Sequence, residues 1–551
     1  MVTTAFKPGT EIYSLTPHPR PAHPNDQRPG ERGGGEGVSQ DTDFRAADPV
    51  LGRMADAILI PPFPGTAAPG WILDALGRGL AGVTLFGQNI SAPGQVSALT
   101  ATLRAAAAGD DPVIAIDEEG GDVTRVAYAD GSPYPGNAAL GAVDDISLTR
   151  AVYQAIGLDL AALGINFNLA PCADVLGAAD SPAVGTRSFG ADTGLVSRHT
   201  AAAVTGLQVA GVAACTKHFP GHGRTGTDTH EAVATIEGGL ADLRLVDLPP
   251  FEAAIRAGTL AIMPSHLRVP ELTGDLPATV SGAALTGLLR GELGFTGVIV
   301  SDALEMRATR EMFGIPRAAV LAVAAGTDLL CLGRDGSEDD YLAVREALVA
   351  AVRDGALDGT RLEEAADRVA RLRGGLARTR SSRPAVDGAT PSVGLVAARR
   401  TVRVSGPHRT LNHPVIVEVE PRENIAAGRF GWGLGPWAPA GSVHRVSASG
   451  RLFNGAGTAL AGGANSGTDD AAGILAAAAG RSLVAVVRDA HRDERARSLI
   501  GALLAARPDL ILVEMGLPFW RPPEGTSYLA TYGASRASAH AAAELLGLAP
   551  A

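Results

Sequence analysis

Val212-Ala213-Ala214-Cys215-Thr216-Lys217-His218-Phe219-Pro220-Gly221-His222-Gly223-Arg224-Thr225-Gly226-Thr227-Asp228-Thr229-His230 changes character in its middle. Its first five residues form an apolar run of the kind a buried strand needs, and Pro220, Gly221, Gly223 and Gly226 then forbid regular structure. The stretch is a strand that empties into a polar loop, and the loop holds three of the chain's twelve histidines. Loops at the ends of parallel strands are where α/β proteins keep their chemistry, because the strand fixes the base while the loop varies.

The same pattern repeats on either side. Short apolar runs at 57–61, 82–86, 112–116, 166–170, 212–217, 261–264, 297–301 and 328–332 read as strands. Between them, segments such as 95–107, 148–163, 195–209, 249–256, 283–289 and 316–325 carry apolar residues at i, i+3, i+4 spacing. Eight strands, each followed by a helix or long loop, predict an α/β fold, a (β/α)8 TIM-like barrel over 49–376. Helical segments at 341–349 and 362–376 complete it. Several strands end in polar groups: Asp117-Glu118-Glu119, Lys217-His218, Ser265-His266 and Ser301-Asp302. All would line the C-terminal rim, the catalytic face of such barrels.

Residues 1–48 are rich in Pro and Gly without an apolar period and are expected to form a flexible tail. Residues 377–391, charged and containing Ser and Pro, read as a linker. A smaller α/β sandwich domain is expected over 392–551, with strands at 415–419, 483–488 and 509–514 and helices near 471–479, 495–505 and 536–546.

Hydrophobic residues make up 46% of the 551, enough for a large core. The net charge of −11 and the lack of basic runs argue against nucleic-acid binding. Cys172, Cys215 and Cys331 are odd in number, far apart and set in apolar runs, so no disulfide framework is expected. No stretch has the apolar length of a membrane span, and the N-terminus lacks the apolar core of a secretory signal, which predicts a cytoplasmic protein away from the membrane.

The opening loop admits two chemistries. His218 and His222 are four apart, but Pro220-Gly221 between them opposes the helix on which such a pair most readily shares a metal. Asp228 and His230, two apart, instead suit a dyad in which a carboxylate orients an imidazole that gives and takes a proton. Asp302 ends a very apolar run and is either a strand-end carboxylate available for attack or a helix N-cap.

Four motifs in order, Ile116-Asp117-Glu118-Glu119-Gly120-Gly121 with Arg125, Gly185-Thr186-Arg187-Ser188-Phe189-Gly190, Lys217 to His230, and Val298-Ile299-Val300-Ser301-Asp302-Ala303-Leu304-Glu305-Met306, resemble family 3 glycoside hydrolases. Within that family the chain looks like the β-N-acetylglucosaminidase branch, including its two-domain members. The resemblance implies that Asp302 is the nucleophile and His230 the general acid/base, with Asp228 as its partner. It implies that Asp117, Arg125, Arg187, Lys217 and His218 bind the sugar, although salt bridges to Glu118 or Glu119 are an alternative role for the cations. Thr229 stands where many relatives have Ser.

The implied activity is exo-acting, retaining removal of terminal N-acetylglucosamine from glycosides such as cell-wall fragments, without metal or cofactor. A histidine base does not repel anions as a carboxylate does, so phosphate can replace water as acceptor in a phosphorylase variant of the same reaction. A non-catalytic carbohydrate-binding barrel is the alternative of another class. Monomer and homodimer are both compatible with the sequence.

Overall fold

The computed structural model describes residues 49–109, 111–177, 181–226, 234–236, 238–382, 392–420, 433–446, 452–453 and 467–550. The expected tail over 1–48, most of the expected linker and the Asp228–His230 dyad lie outside these residues.

The barrel strands are β1 (Leu59–Ile60), β2 (Gly82–Leu85), β3 (Val113–Ile116), β4 (Phe167–Asn168), β5 (Ala213–Phe219), β6 (Ala261–Pro264), β7 (Val298–Ile299) and β8 (Leu330–Cys331). From β2 to β7 each pairs in parallel with the next, and β8 pairs in parallel with β1. Two contacts close the ring: the Thr84 N–H donates to Pro61 O at 3.2 Å, and Val300 bridges Leu329. All eight expected strands are present. Their residues are buried throughout, as helices on the outside and side chains inside require, and this makes the apolar runs continuous rather than alternating.

The strand β5 runs further than its apolar run foretold, to Phe219. Phe219 pairs with Pro264 of β6, and the register shifts between Lys217 and Phe219. His218 is thus an extra residue in the ladder, a bulge of the kind that re-aims side chains beside active sites.

Helices Ile146–Ala162 and Thr193–Val209 cover β4 and β5, each started by an aspartate cap: Asp145 accepts from the Ser147 and Leu148 N–H groups, Asp192 from that of Leu195. The two pack so closely that a Cβ on Gly206 would lie 2.4 Å from Arg150 O. The helix Gly359–Ser382 continues past Leu376 into the stretch expected as linker. Arg380 holds it there, with Nη2 2.9 Å from Asp111 Oδ1, while the Thr379 and Ser381 hydroxyls donate to carbonyls one turn back.

Beyond the barrel lies a seven-stranded sheet of β9 (Arg403–Ser405), β10 (Val415–Val419), β11 (Val443–Val446), β12 (Leu452–Phe453), β13 (Leu483–Val487), β14 (Ile511–Glu514) and β15 (Ser527–Ala530). Its order is β12-β11-β10-β13-β14-β15-β9, parallel except at the two edges. Helices Gly467–Ala477, Glu494–Ala506 and Arg536–Leu545 accompany it. Among the described residues no helix is long and apolar enough to cross a membrane. The three cysteines are buried and unpaired.

At the bottom of the barrel Asp328 is fully buried and holds three elements together. Arg361 Nη2 lies 2.6 Å and Arg368 Nη1 3.2 Å from Oδ1, Arg290 pairs with Oδ2, and the Ile299 N–H of β7 donates to Oδ2 at 2.9 Å. Removing one member of a buried cluster leaves the others uncompensated. Asp328→Ala is therefore expected to cost about 3–5 kcal/mol, measured by urea unfolding. A loss below about 1 kcal/mol would mean the cluster behaves as exposed surface charge.

Candidate active site

Four strand ends and one loop converge on the carboxyl rim. Lys217, from the bulged end of β5, places Nζ 2.6 Å from Asp117 Oδ1 and 2.8 Å from Glu119 Oε1, both just beyond β3. Arg187, on the short 3-10 turn Gly185–Arg187, grips both oxygens of Glu119, with Nε–Oε2 at 3.0 Å and Nη2–Oε1 at 2.7 Å. Lys217 and Glu119 are each 3% exposed, whereas the Asp117 side chain keeps 19% open.

Burial alone would discharge these groups, but their pairing outweighs it. Opposed by burial, the Arg187 and Lys217 cations still hold the Glu119 carboxyl far below its usual range. Opposed likewise, Asp117 and Glu119 raise Lys217, and Glu119 raises Arg187. The alternative of salt bridges to Glu119 is realised for both cations, and the same bridges present Asp117 at the rim.

His218 is oriented by a residue the sequence reading passed over. Asp174, fully buried beyond β4, accepts from His218 Nδ1 at 2.7 Å, from the His218 and His222 N–H groups at 3.2 and 2.7 Å, and from the Cys172 thiol at 3.1 Å. Despite burial, His218 foremost keeps this carboxyl ionised well below its ordinary value. With Nδ1 committed to Asp174, Nε2 is left directed toward Arg187, 3.4 Å from its Nη2. The signal for Asp174 was its place at the end of the fourth strand, where the other strands also end in polar residues.

Cys172, Asp174 and His218 each bring a possible ligand atom within 4.8 Å of the others. Those atoms are already engaged in hydrogen bonds with one another, and the ring of His222, 5.9 Å from that of His218, has Nδ1 3.3 Å from Thr225 Oγ1.

Asp302 stands on the same rim, just beyond β7. The Ala303 N–H donates to its Oδ1 at 2.8 Å. It is not a helix cap, since the next helix is Arg307–Phe313 with Met306 at the cap position. Burial first, with Asp117 and Asp302 among the added charges, raises the Cys215 and Cys331 thiols. His266, beyond β6, donates from Nε2 to Ala303 O at 2.9 Å and so holds the backbone next to Asp302. Glu305 accepts the Gly333 N–H at 2.7 Å, joining the loops of β7 and β8, and a Cβ on Gly333 would lie 1.7 Å from its Oε1.

Arg125 sits on a turn built by Glu118, whose Oε2 accepts the Arg125 and Val126 N–H groups at 2.8 and 3.1 Å. Asp228 and His230 fall outside the described residues, but the backbone on both sides of them is anchored. Before them Arg224 Nε lies 2.9 Å from Asp247 Oδ2; after them the Ile236 N–H donates to Arg268 O at 3.0 Å and the Arg268 N–H to Ala234 O at 2.9 Å. The described rim thus combines fixed donors and one open carboxylate, Asp117, suited to a polyhydroxylated ring, with a second carboxylate, Asp302, beyond β7.

Comparison with known proteins matches residues 72–372 to the glycosyl hydrolase family 3 N-terminal domain. A β-hexosaminidase of Stenotrophomonas maltophilia is 36% identical over 268 residues, 48% of this chain and 79% of that protein. The β-hexosaminidase LpqI of Mycobacterium tuberculosis is 34% identical over 266 residues, 47% of this chain and 68% of that protein. A family 3 β-N-acetylglucosaminidase structure from Paenibacillus sp. str. FPU-7 superposes with a TM-score of 0.78 at 30% identity, covering 90% of this chain and 97% of that one. The chain belongs to glycosyl hydrolase family 3 and is a glycoside hydrolase.

Proposed function

We propose that the enzyme is an exo-acting, retaining β-N-acetylglucosaminidase that removes terminal N-acetylglucosamine from cell-wall fragments in the cytoplasm. The observation that carries this reading is the interlocked set Asp117, Lys217, Glu119, Arg187 and His218 on the carboxyl rim where Asp302, just beyond β7, also stands. The similar Paenibacillus structure is named a β-N-acetylglucosaminidase, the curated relatives are named β-hexosaminidases, and three buried, unpaired cysteines suit a reducing compartment.

In this mechanism Asp117, Arg125, Arg187, Lys217 and His218 bind the ring. An Asp302 oxygen bonds to the anomeric carbon as the glycosidic C–O bond breaks, and His230, paired with Asp228, protonates the leaving oxygen. Water then gives its proton to His230 and displaces Asp302, restoring the anomeric configuration. The Ala303 N–H on Asp302 Oδ1 and the His266 bond to Ala303 O hold the nucleophile's backbone in place.

A second reading, phosphate as acceptor, rests on charge. The two buried cations beside Asp117 and Glu119 balance those two carboxylates, so this wall of the recess presents no net negative charge to an incoming anion.

Asp302→Ala is expected to lower turnover of an aryl N-acetylglucosaminide by roughly 10³-fold or more, and His230→Ala by about 10²–10⁴-fold. Near wild-type rates for either variant would overturn its assignment, whereas binding of the sugar without turnover by the unaltered protein would favour a binding barrel. NMR of the first-formed product with and without phosphate decides the acceptor: free sugar of retained configuration supports hydrolysis, a sugar 1-phosphate supports phosphorolysis, and inverted free sugar excludes the covalent route.

Glu118 does not compete for the acid/base role, because its Oε2 is spent on the Arg125 turn. Burial pushes its pKa up to about 7 from 4.5. The folded protein therefore holds this proton more tightly than the unfolded chain does. The resulting stabilisation is fully present below about pH 4.5 and is lost as pH rises through about 7. Glu118→Gln should consequently gain stability relative to wild type between pH 5 and 8, by on the order of 3 kcal/mol at most. Parallel unfolding curves across that range check this; a constant difference would refute it.

A further inference from the structure

The second sheet meets the barrel through its own carboxyl edge. Beyond β13 stands Arg488, beyond β14 Leu517, and beyond β15 Ala534. Leu517 packs in an apolar cluster with Ala138, Cys172 and Val184 of the barrel's rim loops. Arg488 Nη2 lies 2.5 Å from Asp122 Oδ2, and the Ala534 N–H donates to Asp122 Oδ1 at 2.7 Å. From the barrel side the Thr186 hydroxyl donates to Asp122 Oδ2. Asp122 is 5% and Thr186 6% exposed, so this junction is closed to solvent.

The two barrel residues at the junction are neighbours of the binding pair. Asp122 follows Glu119 by three positions, and Thr186 immediately precedes Arg187. The intervening backbone has little slack. Gly121 has φ +58°, and a Cβ there would lie 2.5 Å from Gly136 Cα. Asn137 Nδ2 donates to Arg187 O at 2.6 Å, and Tyr153 Oη in turn donates to Asn137 Oδ1 at 2.6 Å. On the other side Arg488 issues from a stiff edge. Buried Glu514 accepts the N–H groups of Asp489, Ala490 and Gly516 at 2.8, 3.1 and 2.7 Å, and Asp489 Oδ1 accepts that of Leu517 at 2.8 Å.

We infer that Arg488 is a positioning residue of the glycosidase: through Asp122 and Thr186 it sets the Glu119–Arg187 pair, which makes the second domain part of the frame of the sugar site. This rests on the proposed reading of Arg187 as a sugar contact. A purely structural junction would hold the domains together and leave sugar binding alone. A positioning junction alters how the ring is held, in the ground state and transition state alike, and so moves KM rather than kcat.

The test uses the full chain, an aryl N-acetylglucosaminide and a thermal melt of each variant. Arg488→Met is expected to raise KM about fivefold or more with kcat within about twofold, since displacing a binding group by a fraction of an ångström is costly. Arg488→Lys, which keeps the charge, should recover most of that KM. In an Arg187→Met background, Arg488→Met should add less than about twofold, because the two act along one path. Should Arg488→Met fail to fold, Asp122→Asn serves instead, keeping the shape of the junction while weakening its charge pair, and is expected to raise KM in the same direction. A lowered Tm with KM unchanged, or effects of Arg488 and Arg187 that multiply in full, overturns the inference. An unchanged KM for Arg187→Met overturns the sugar-contact reading and this inference with it, an outcome distinct from an unchanged KM for Arg488→Met alone.

Discussion

The structure depends on one interlocked set of two carboxylates and two cations, all but Asp117 buried, at the mouth of one barrel. Lys217 and Arg187 both close on Glu119, sharing its Oε1, and Lys217 also holds Asp117. Ions taken out of water repay the loss only when every partner lies at hydrogen-bond distance. That distance is set here by three separate segments, the ends of β3 and β5 and the 3-10 turn at Gly185–Arg187. The ring of strands must therefore close correctly for the cluster to exist at all. Once formed, the cluster is intolerant of small shifts, which is the property a sugar site needs from its walls.

The bulge in β5 follows from the same demand. In a regular strand Lys217 and His218 would point to opposite faces. The register shift before Phe219 lets Lys217 reach Asp117 and Glu119 while His218 reaches Asp174 and approaches Arg187. Asp174 stabilises this kinked segment by accepting the backbone N–H groups of both His218 and His222, so one buried carboxylate satisfies donors that the broken ladder leaves over.

How much of this could be read beforehand differs by physical cause. Strands buried on both faces leave continuous apolar runs, and all eight barrel strands were visible for that reason, as were β10, β13 and β14 in the second sheet. The strand β9 was not visible, because it is short, exposed and at an edge; β15 reads Ser-Tyr-Leu-Ala and lacks the apolar run that marks its neighbours. Strand ends likewise exposed Asp117, Lys217, His218 and Asp302 in order along the chain. What the sequence could not display is pairing across distance: that Glu119 rather than Glu118 takes Arg187 and Lys217, or that Asp174 orients His218. Two adjacent glutamates are chemically alike, and only the fold turns one toward the cations and the other back onto the Arg125 turn.

The histidines of the opening stretch show where the division of labour lies. His218 acts through its ring, fixed by Asp174; His222 serves Asp174 through its backbone N–H, so a different side chain there would leave that bond in place. Both belong to the segment locked to the strand end. His230 belongs to the next stretch, bounded by the Arg224–Asp247 ion pair on one side and the backbone pairing with Arg268 on the other. The strand ends and the junction with the second sheet thus fix Asp117, Glu119, Arg187, Lys217 and His218 against one another, and separate anchors fix the segments on either side of His230.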